Sequence, residues 1–400
     1  MTDTRRRSPL DPDRPLRVLV VDDSELQRNL LAALFDADPD LAVVGRAANG
    51  LAAIQLAATL RPDVITIDLR MPGLDGLEAT RRIMQATPTP VVMVAAGASP
   101  ADRQLASDAL AAGVLAFVAK PAPGPHGERA AAELVETVKR MAQVRVIRRW
   151  SPERSGTGQL RSVPERVGTG QLPAMPDRPN GGTLESPRAA VPPSPRLPAL
   201  VAIGASTGGP QALQAILTRL PATFGLPIVI VQHIAEGFAA SIVDWLAPQC
   251  ALPFQLAQAG MRLDQPGIYL APTGRHLVVQ GRQLNLSDVA PVRGHRPSAT
   301  ILFRSIAASY GARSIGILLT GMGDDGAAGL ADLRAAGAIT IAQDKISSVV
   351  FGMPAAAIEL GVVDHILAPA HIPALLLRLS SEAGAPPRTL LPSRGTPTGR

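Results

Sequence analysis

Val201-Ala-Ile-Gly-Ala-Ser206-Thr-Gly-Gly-Pro210 runs from an apolar, strand-like stretch into a glycine turn, and PQALQAILTRL, which follows, has helical apolar spacing. Strand, tight turn and helix make one βα unit. Within it, Gly204-Ala-Ser206-Thr-Gly208 matches G-x-S-x-G, the turn that lifts a serine hydroxyl off the end of a sheet. Glycines in such a turn have a second use, because their backbone N–H groups can cradle a phosphate. On this motif alone both readings stand.

The same pattern repeats on either side. Downstream come PIVIVQH, GIYLAP, HLVV, SIGILLTG and AITIAQ; upstream come RVLVV, AVVGRAA, DVITIDL, PVVMVA and VLAFVA, with alanine- and leucine-rich helical stretches between many of them. Apolar runs alternating with helices indicate parallel sheets covered on both faces. Both halves are therefore expected to be α/β: two doubly wound parallel-sheet domains, flavodoxin-like and then Rossmann-like. Between them lies SPERSGTGQLRSVPERVGTGQLP and then RPNGGTLESPRAAVPPSPRLP, rich in Pro, Gly and Ser and without periodicity. Such a stretch is expected to be a disordered linker. PERSGTGQL (152–160) recurs in it as PERVGTGQL (164–172), which reads as repeat drift rather than a solenoid. The boundaries expected are 15–142 and 199–378 for the domains, 143–198 for the linker and 379–400 for a disordered tail.

Composition narrows the function classes. The 400 residues carry a net charge of +6, but residues 145–200 alone hold nine arginines against four acids. The folded parts are then nearly neutral, which argues against a nucleic-acid-binding domain. No apolar run reaches the roughly 18–20 residues of a membrane span. The start, MTDTRRRSPLDPDRPL, has no apolar segment behind its arginines. The single cysteine, Cys250, reads as a small buried apolar residue in a reducing compartment. A cytoplasmic location is expected.

In open α/β sheets, sites form at the carboxyl ends of the strands. In the first domain RVLVV ends in Asp22-Asp23, VITI in Asp68 and VLAFVA in Lys120. Three carboxylates cannot all stay ionised side by side without a cation, and hard oxygen donors suit Mg²⁺ or Mn²⁺. The combination points to a metal-assisted phosphoryl acceptor, with helix caps as the plain alternative for any one aspartate. VVDDS, DLRMPGLDG and FVAKP, in this order and spacing, resemble the receiver domain of bacterial two-component response regulators. The resemblance implies that Asp68 takes a phosphoryl group from a sensor histidine kinase. It also implies that Asp22, Asp23 and Asp68 hold Mg²⁺ with the carbonyl of Arg70, and that Lys120 contacts the phosphoryl oxygens. One departure stands out. Receivers usually carry Thr or Ser after the fourth strand, where this chain has Ala95-Ala96. Ser99 would replace that hydroxyl only if its loop folds back, and Phe117 fits both the aromatic position that normally moves with it and a plain core residue.

In the second domain PIVIVQ ends in His233, one βα unit after Ser206, so both should sit at one sheet edge on neighbouring strands. A base must approach the serine to about 3 Å, which favours His233 over His276 and His295. A third group should hold the other ring nitrogen. SIGILLTG opens into Met322-Gly-Asp324-Asp325-Gly, where chemistry alone does not choose between the two aspartates. The order Ser, His, Asp differs from that of α/β-hydrolases.

GASTGG, QHIAEGFAASIVDWL, YLAPTGRH, HRPSATILF, ILLTGMGDDGAAG and TIAQDKISSVVFGMPAAAI together resemble the catalytic domain of the protein-glutamate methylesterases of bacterial chemotaxis. The resemblance implies Ser206 as nucleophile, His233 as base and Asp325 as orienting acid. The backbone N–H of Met322 would lie at the oxyanion, Thr207 beside the nucleophile, and 293–298 along a receptor-facing cleft. It further implies demethylation of glutamyl esters and deamidation of glutamines on chemoreceptors, without a cofactor for the ester chemistry. The protein would be a monomer, reaching the membrane only through its receptors. Three other readings share some of these features: a paralogue serving another motility or developmental pathway, a non-catalytic relay, and a DNA-binding regulator. The triad residues at strand ends argue against the last two.

Overall fold

The computed structural model describes residues 14–95, 99–112, 114–121, 125–144 and 198–381. The expected linker and tail, apart from residues 143, 144, 198 and 379–381, lie outside the described residues, as does Ala96. The N-terminal domain alternates β1 (Leu16–Val21), α1 (Glu25–Asp36), β2 (Leu41–Ala47), α2 (Gly50–Leu60), β3 (Val64–Asp68) and α3 (Gly76–Ala86). It continues with β4 (Val91–Ala95), α4 (Pro100–Ala112), β5 (Ala116–Ala119) and α5 (Pro125–Met141). Its five strands are parallel in the order β2-β1-β3-β4-β5. β3 and β4 are buried along their whole length, which is why they read as unbroken apolar runs. Asn49 and Asp75 accept backbone N–H bonds as the N-caps of α2 and α3.

The C-terminal domain opens with β6 (Leu200–Ala205), α6 (Gly209–Leu217), β7 (Ile228–Gln232) and α7 (Ala239–Leu246). β8 (Phe254–Leu256), β9 (Ile268–Leu270), β10 (His276–Gln280), β11 (Gln283–Ser287) and α8 (Ala299–Ser309) follow. It ends with β12 (Ser314–Leu318), α9 (Ala327–Ala335), β13 (Ile339–Gln343), α10 (Met353–Glu359), β14 (His365–Leu367) and α11 (Ile372–Ser381). Seven parallel strands run in the order β14-β13-β12-β6-β7-β9-β8. From β6 the chain goes to one side through β7 and later to the other through β12. The end of β6 is therefore the switch point of the sheet, where its loops part and leave a crevice.

Three details differ from the sequence reading. HLVV forms β10, which pairs antiparallel with β11 in a separate hairpin rather than joining the main sheet. Gly281, in the tight turn between them, has φ +56°, a conformation that favours glycine. The short edge strands β8 and β14 were not foreseen, and α11 continues to Ser381, past the expected limit at 378.

Candidate functional site

The expected residues meet at that crevice. Ser206 follows β6, His233 follows β7, and Asp325 lies in the loop between β12 and α9. Sheet pairing fixes their frame. The His233 N–H donates to Ala205 O (2.9 Å), and the Ser206 N–H donates to Thr320 O (3.0 Å), just beyond β12. Gly208, at the N-cap of α6, has φ +75°, and the Cβ of another residue there would collide with Val349. The glycine lets the chain leave the sheet at once, so Ser206 sits at the start of the helix turn, 8% exposed.

His233 Nε2 lies 3.0 Å from Asp325 Oδ2. Asp325 is 2% exposed, and its carboxylate is saturated with donors. Oδ1 accepts from Ser298 Oγ (2.7 Å) and the Thr300 N–H (3.2 Å), and Oδ2 accepts from the Ala299 N–H (2.7 Å). Those amides form the N-terminus of α8, whose dipole favours an anion. Burial disfavours the charged carboxylate, but the bond and charge of His233, with Ser298 and Thr300, outweigh it and hold Asp325 well below the usual range. An ionised carboxylate only accepts. Nε2 must therefore carry the proton, which leaves Nδ1 as the lone-pair nitrogen, and Nδ1 is buried without a hydrogen-bond partner. Ser206 and His233 line one cavity of about 60 Å³ with Thr207, Gln232, His295 and Met322.

Asp324 points elsewhere. It is half-exposed and pairs with Arg293. The rival histidines have other roles. His276 is fully buried, with Nδ1 accepting from the Ser298 N–H (3.2 Å) and Nε2 facing Ala290 O (3.3 Å). Burial lowers its pKa. His295 stacks on the His233 ring at 4.0 Å and 3°. Sequence reasoning missed Ser298 as a holder of Asp325; the only signal was a serine before the helical run ATILF.

At the N-terminal domain's strand ends, ligand atoms of Asp22, Asp23 and Asp68 lie within 4.8 Å of one another. Lys120 Nζ is 2.7 Å from Asp22 and 2.8 Å from Asp68. Burial raises the Asp68 pKa, and neighbouring Asp22 adds to this against the opposing pull of Lys120. Three hard oxygen donors in excess over one ammonium fit a divalent cation such as Mg²⁺. Ala95 ends β4, 4% exposed, and offers only a methyl at the position where the resemblance calls for a hydroxyl. Ser99 does not replace it: its hydroxyl accepts from the Asp102 N–H (3.2 Å) and from Arg70 (2.9 Å), while its own N–H donates to Asp102 (3.0 Å). That reciprocal pair caps α4.

The two domains touch at the cavity. Leu110, Leu115, Phe117 and Val118 line it from the N-terminal side. Gly208 N–H donates to Leu115 O (3.2 Å), Gln211 Nε2 to Val114 O (2.7 Å), and Phe117 stacks on Phe238 at 5.9 Å.

A family model described as CheB methylesterase matches residues 201–376, and one described as the response regulator receiver domain matches 18–130. The chain is 44% identical over 358 residues to protein-glutamate methylesterase/protein-glutamine glutaminase 3 of Anaeromyxobacter dehalogenans, covering 88% of this chain and 96% of that protein. To protein-glutamate methylesterase/protein-glutamine glutaminase 4 of Myxococcus xanthus it is 43% identical over 376 residues, covering 92% and 97%. The crystal structure of the Thermotoga maritima CheB methylesterase catalytic domain is 35% identical, with a TM-score of 0.44, covering 46% of this chain and 98% of that one.

Proposed function

Because the chain belongs to the CheB methylesterase family and carries a receiver domain ahead of the catalytic one, we propose that it is a phosphorylation-gated esterase of chemoreceptor glutamyl methyl esters. The observation that carries the reading is the polarity of His233. Asp325 fixes the proton on Nε2, the lone pair on Nδ1 is buried without a partner, and His233 shares one cavity with Ser206.

The chemistry follows from those roles. Nδ1 takes the hydroxyl proton as Ser206 attacks the ester carbonyl. The new imidazolium is held against the ionised Asp325, which stays unprotonated. Charge on the tetrahedral oxygen falls to backbone N–H groups of the Met322 loop, with Thr207 beside it. Nδ1 then hands its proton to the leaving methoxide, and methanol departs. Water, deprotonated by the same nitrogen, releases the glutamate and restores Ser206. An amide passes through the same tetrahedral state, so receptor glutamine would lose ammonia at this site.

The receiver domain governs access. Residues of β5 and the segment before it wall one side of the cavity that Ser206 and His233 line. Asp22 and Asp23, with Asp68, would hold Mg²⁺, which when bound screens the carboxylates from an incoming phosphoryl group. A sensor histidine kinase would supply that group to Asp68. Lys120 bonds Asp68 and directly follows the four-residue β5, whose Phe117 packs on the catalytic domain. With no hydroxyl at Ala95, coupling runs along β5: a phosphoryl group draws Lys120, and the strand shifts its grip on the cavity.

The test is methanol release from methylated receptor membranes, with and without a small-molecule phosphodonor and Mg²⁺. Wild type should be stimulated, Ser206→Ala inert and Asp68→Asn fixed at the basal rate. Activity in Ser206→Ala removes the catalytic reading. Stimulation that survives in Asp68→Asn removes the gating.

A further inference from the structure

Gln232, the last residue of β7, is 2% exposed. Its Nε2 donates to two backbone carbonyls, Ser206 O at 2.7 Å and His233 O at 2.8 Å. These belong to the proposed nucleophile and the proposed base. Its Oε1 is buried without a partner and lies against Gly209, where a Cβ would come within 2.0 Å of it. A buried amide oxygen left unpaired is costly, and an apolar side chain would avoid that cost. The site keeps the amide, and the amide spends both its N–H groups on the two reacting residues.

We propose that Gln232 is a positioning residue for the esterase reaction, its carboxamide cross-linking the peptide units of Ser206 and His233 and so setting the distance between nucleophile and base. The proposal rests on the triad reading above. Ser206 is already held through its N–H by Thr320, and its carbonyl also accepts from the Gly209 N–H at 2.8 Å. His233 is held through its N–H by Ala205, but beyond it the chain leaves the sheet for the irregular stretch 234–238. Gln232 is what grips the base on that carbonyl side and ties it to the serine. The side chain touches no reacting atom; it acts through the backbone of two residues that do.

The clamp predicts a rate effect without a binding effect. A misplacement on the order of 1 Å costs about 100-fold, so Gln232→Met should lower kcat by roughly 10- to 100-fold and leave KM within about twofold. Labelling of Ser206 by a fluorophosphonate, which needs no receptor, should slow by a similar factor. Gln232→Glu keeps the volume but faces two carbonyls with an acceptor. Burial raises the pKa of such a carboxyl, and its protonated form regains one donor. Its labelling rate relative to wild type should therefore recover between about pH 9 and pH 6, while that of Gln232→Met stays flat.

The experiment measures kcat, KM and labelling on the full chain with phosphodonor, beside thermal unfolding and Ser206→Ala. A folded Gln232→Met with wild-type kcat, a rise in KM alone, or a flat pH ratio in Gln232→Glu overturns the clamp. Failure of both variants to fold also counts against it, since Gln232 would then be a residue of the core only. Methanol release by Ser206→Ala would instead remove the triad reading on which the clamp depends.

Discussion

Replacing Asp325 with Asn tests the heart of the site, because the carboxylate serves two neighbours at once. Its Oδ2 faces His233 Nε2 at 3.0 Å, and each oxygen also accepts a backbone N–H at the start of α8. Wherever a carboxamide puts its NH₂ group, that group meets the Ala299 or the Thr300 N–H. The less costly orientation leaves the amide oxygen toward His233 and turns the NH₂ toward Ser298, whose hydroxyl can rotate to accept. The tautomer of His233 then survives, but the charge opposite the imidazolium is gone. Unit charges roughly 3–4 Å apart attract by about 4–5 kcal/mol at an effective dielectric near 20. The neutral bond that remains recovers about 1 kcal/mol. The difference, at about 1.4 kcal/mol per decade, predicts that kcat falls by about 10²–10³-fold with KM little changed. Methanol release from methylated receptors reads kcat, and denaturant unfolding read in parallel separates lost stability from lost chemistry. Asp324→Asn is the control. Its exposed pair with Arg293 is worth about 0–1 kcal/mol, and kcat should not change. If folded Asp325→Asn keeps kcat within about fivefold of wild type, the carboxylate does not stabilise a charged His233 and the assignment fails.

Three further outcomes follow from the contacts. Gln211→Ala removes the bond to Val114 O that holds the receiver beside the nucleophile turn; at about 0.5–1.5 kcal/mol it should raise basal methanol release by roughly 2- to 10-fold, and an unchanged basal rate would deny that this contact closes the site. His276 is buried with a lowered pKa, so the unfolded chain binds its proton first as pH falls. Its contribution to stability is complete above the unfolded value of about 6.5 and is lost as pH drops from there toward the lower folded value. Urea midpoints at about pH 7.5 and pH 5.5 should show wild type weakening on acidification, with a smaller drop in His276→Gln; an equal drop in both places the titration elsewhere. Asp325 contributes in a separate window. Its depressed pKa gives stability that is present above about pH 4 and lost in stronger acid.

The amino-acid sequence by itself determined the two α/β domains and the residues that gather at their strand ends. Parallel strands buried on both faces must be apolar throughout, so any charged or hydroxyl residue that closes such a run, as Asp22, Asp68, Lys120, Ser206 and His233 do, stands out. HLVV misled because an apolar run of that length fits a hairpin arm as well as a sheet strand, and β8 and β14 escaped because three-residue edge strands carry little pattern. Spacing and chemistry left the two aspartates level and only the resemblance chose between them; the tertiary structure shows the physical difference. Asp324 and Asp325 are adjacent and chemically alike, but only one points back at the N-terminus of α8, where Ser298, Ala299 and Thr300 hold it ionised against His233. Tertiary structure alone decided the roles of Gln232 and His276, whose hydrogen bonds join segments far apart in the chain or hang on a side-chain direction. Local spacing records the period of a strand or helix; it does not record which distant amide a side chain will meet when the sheet closes.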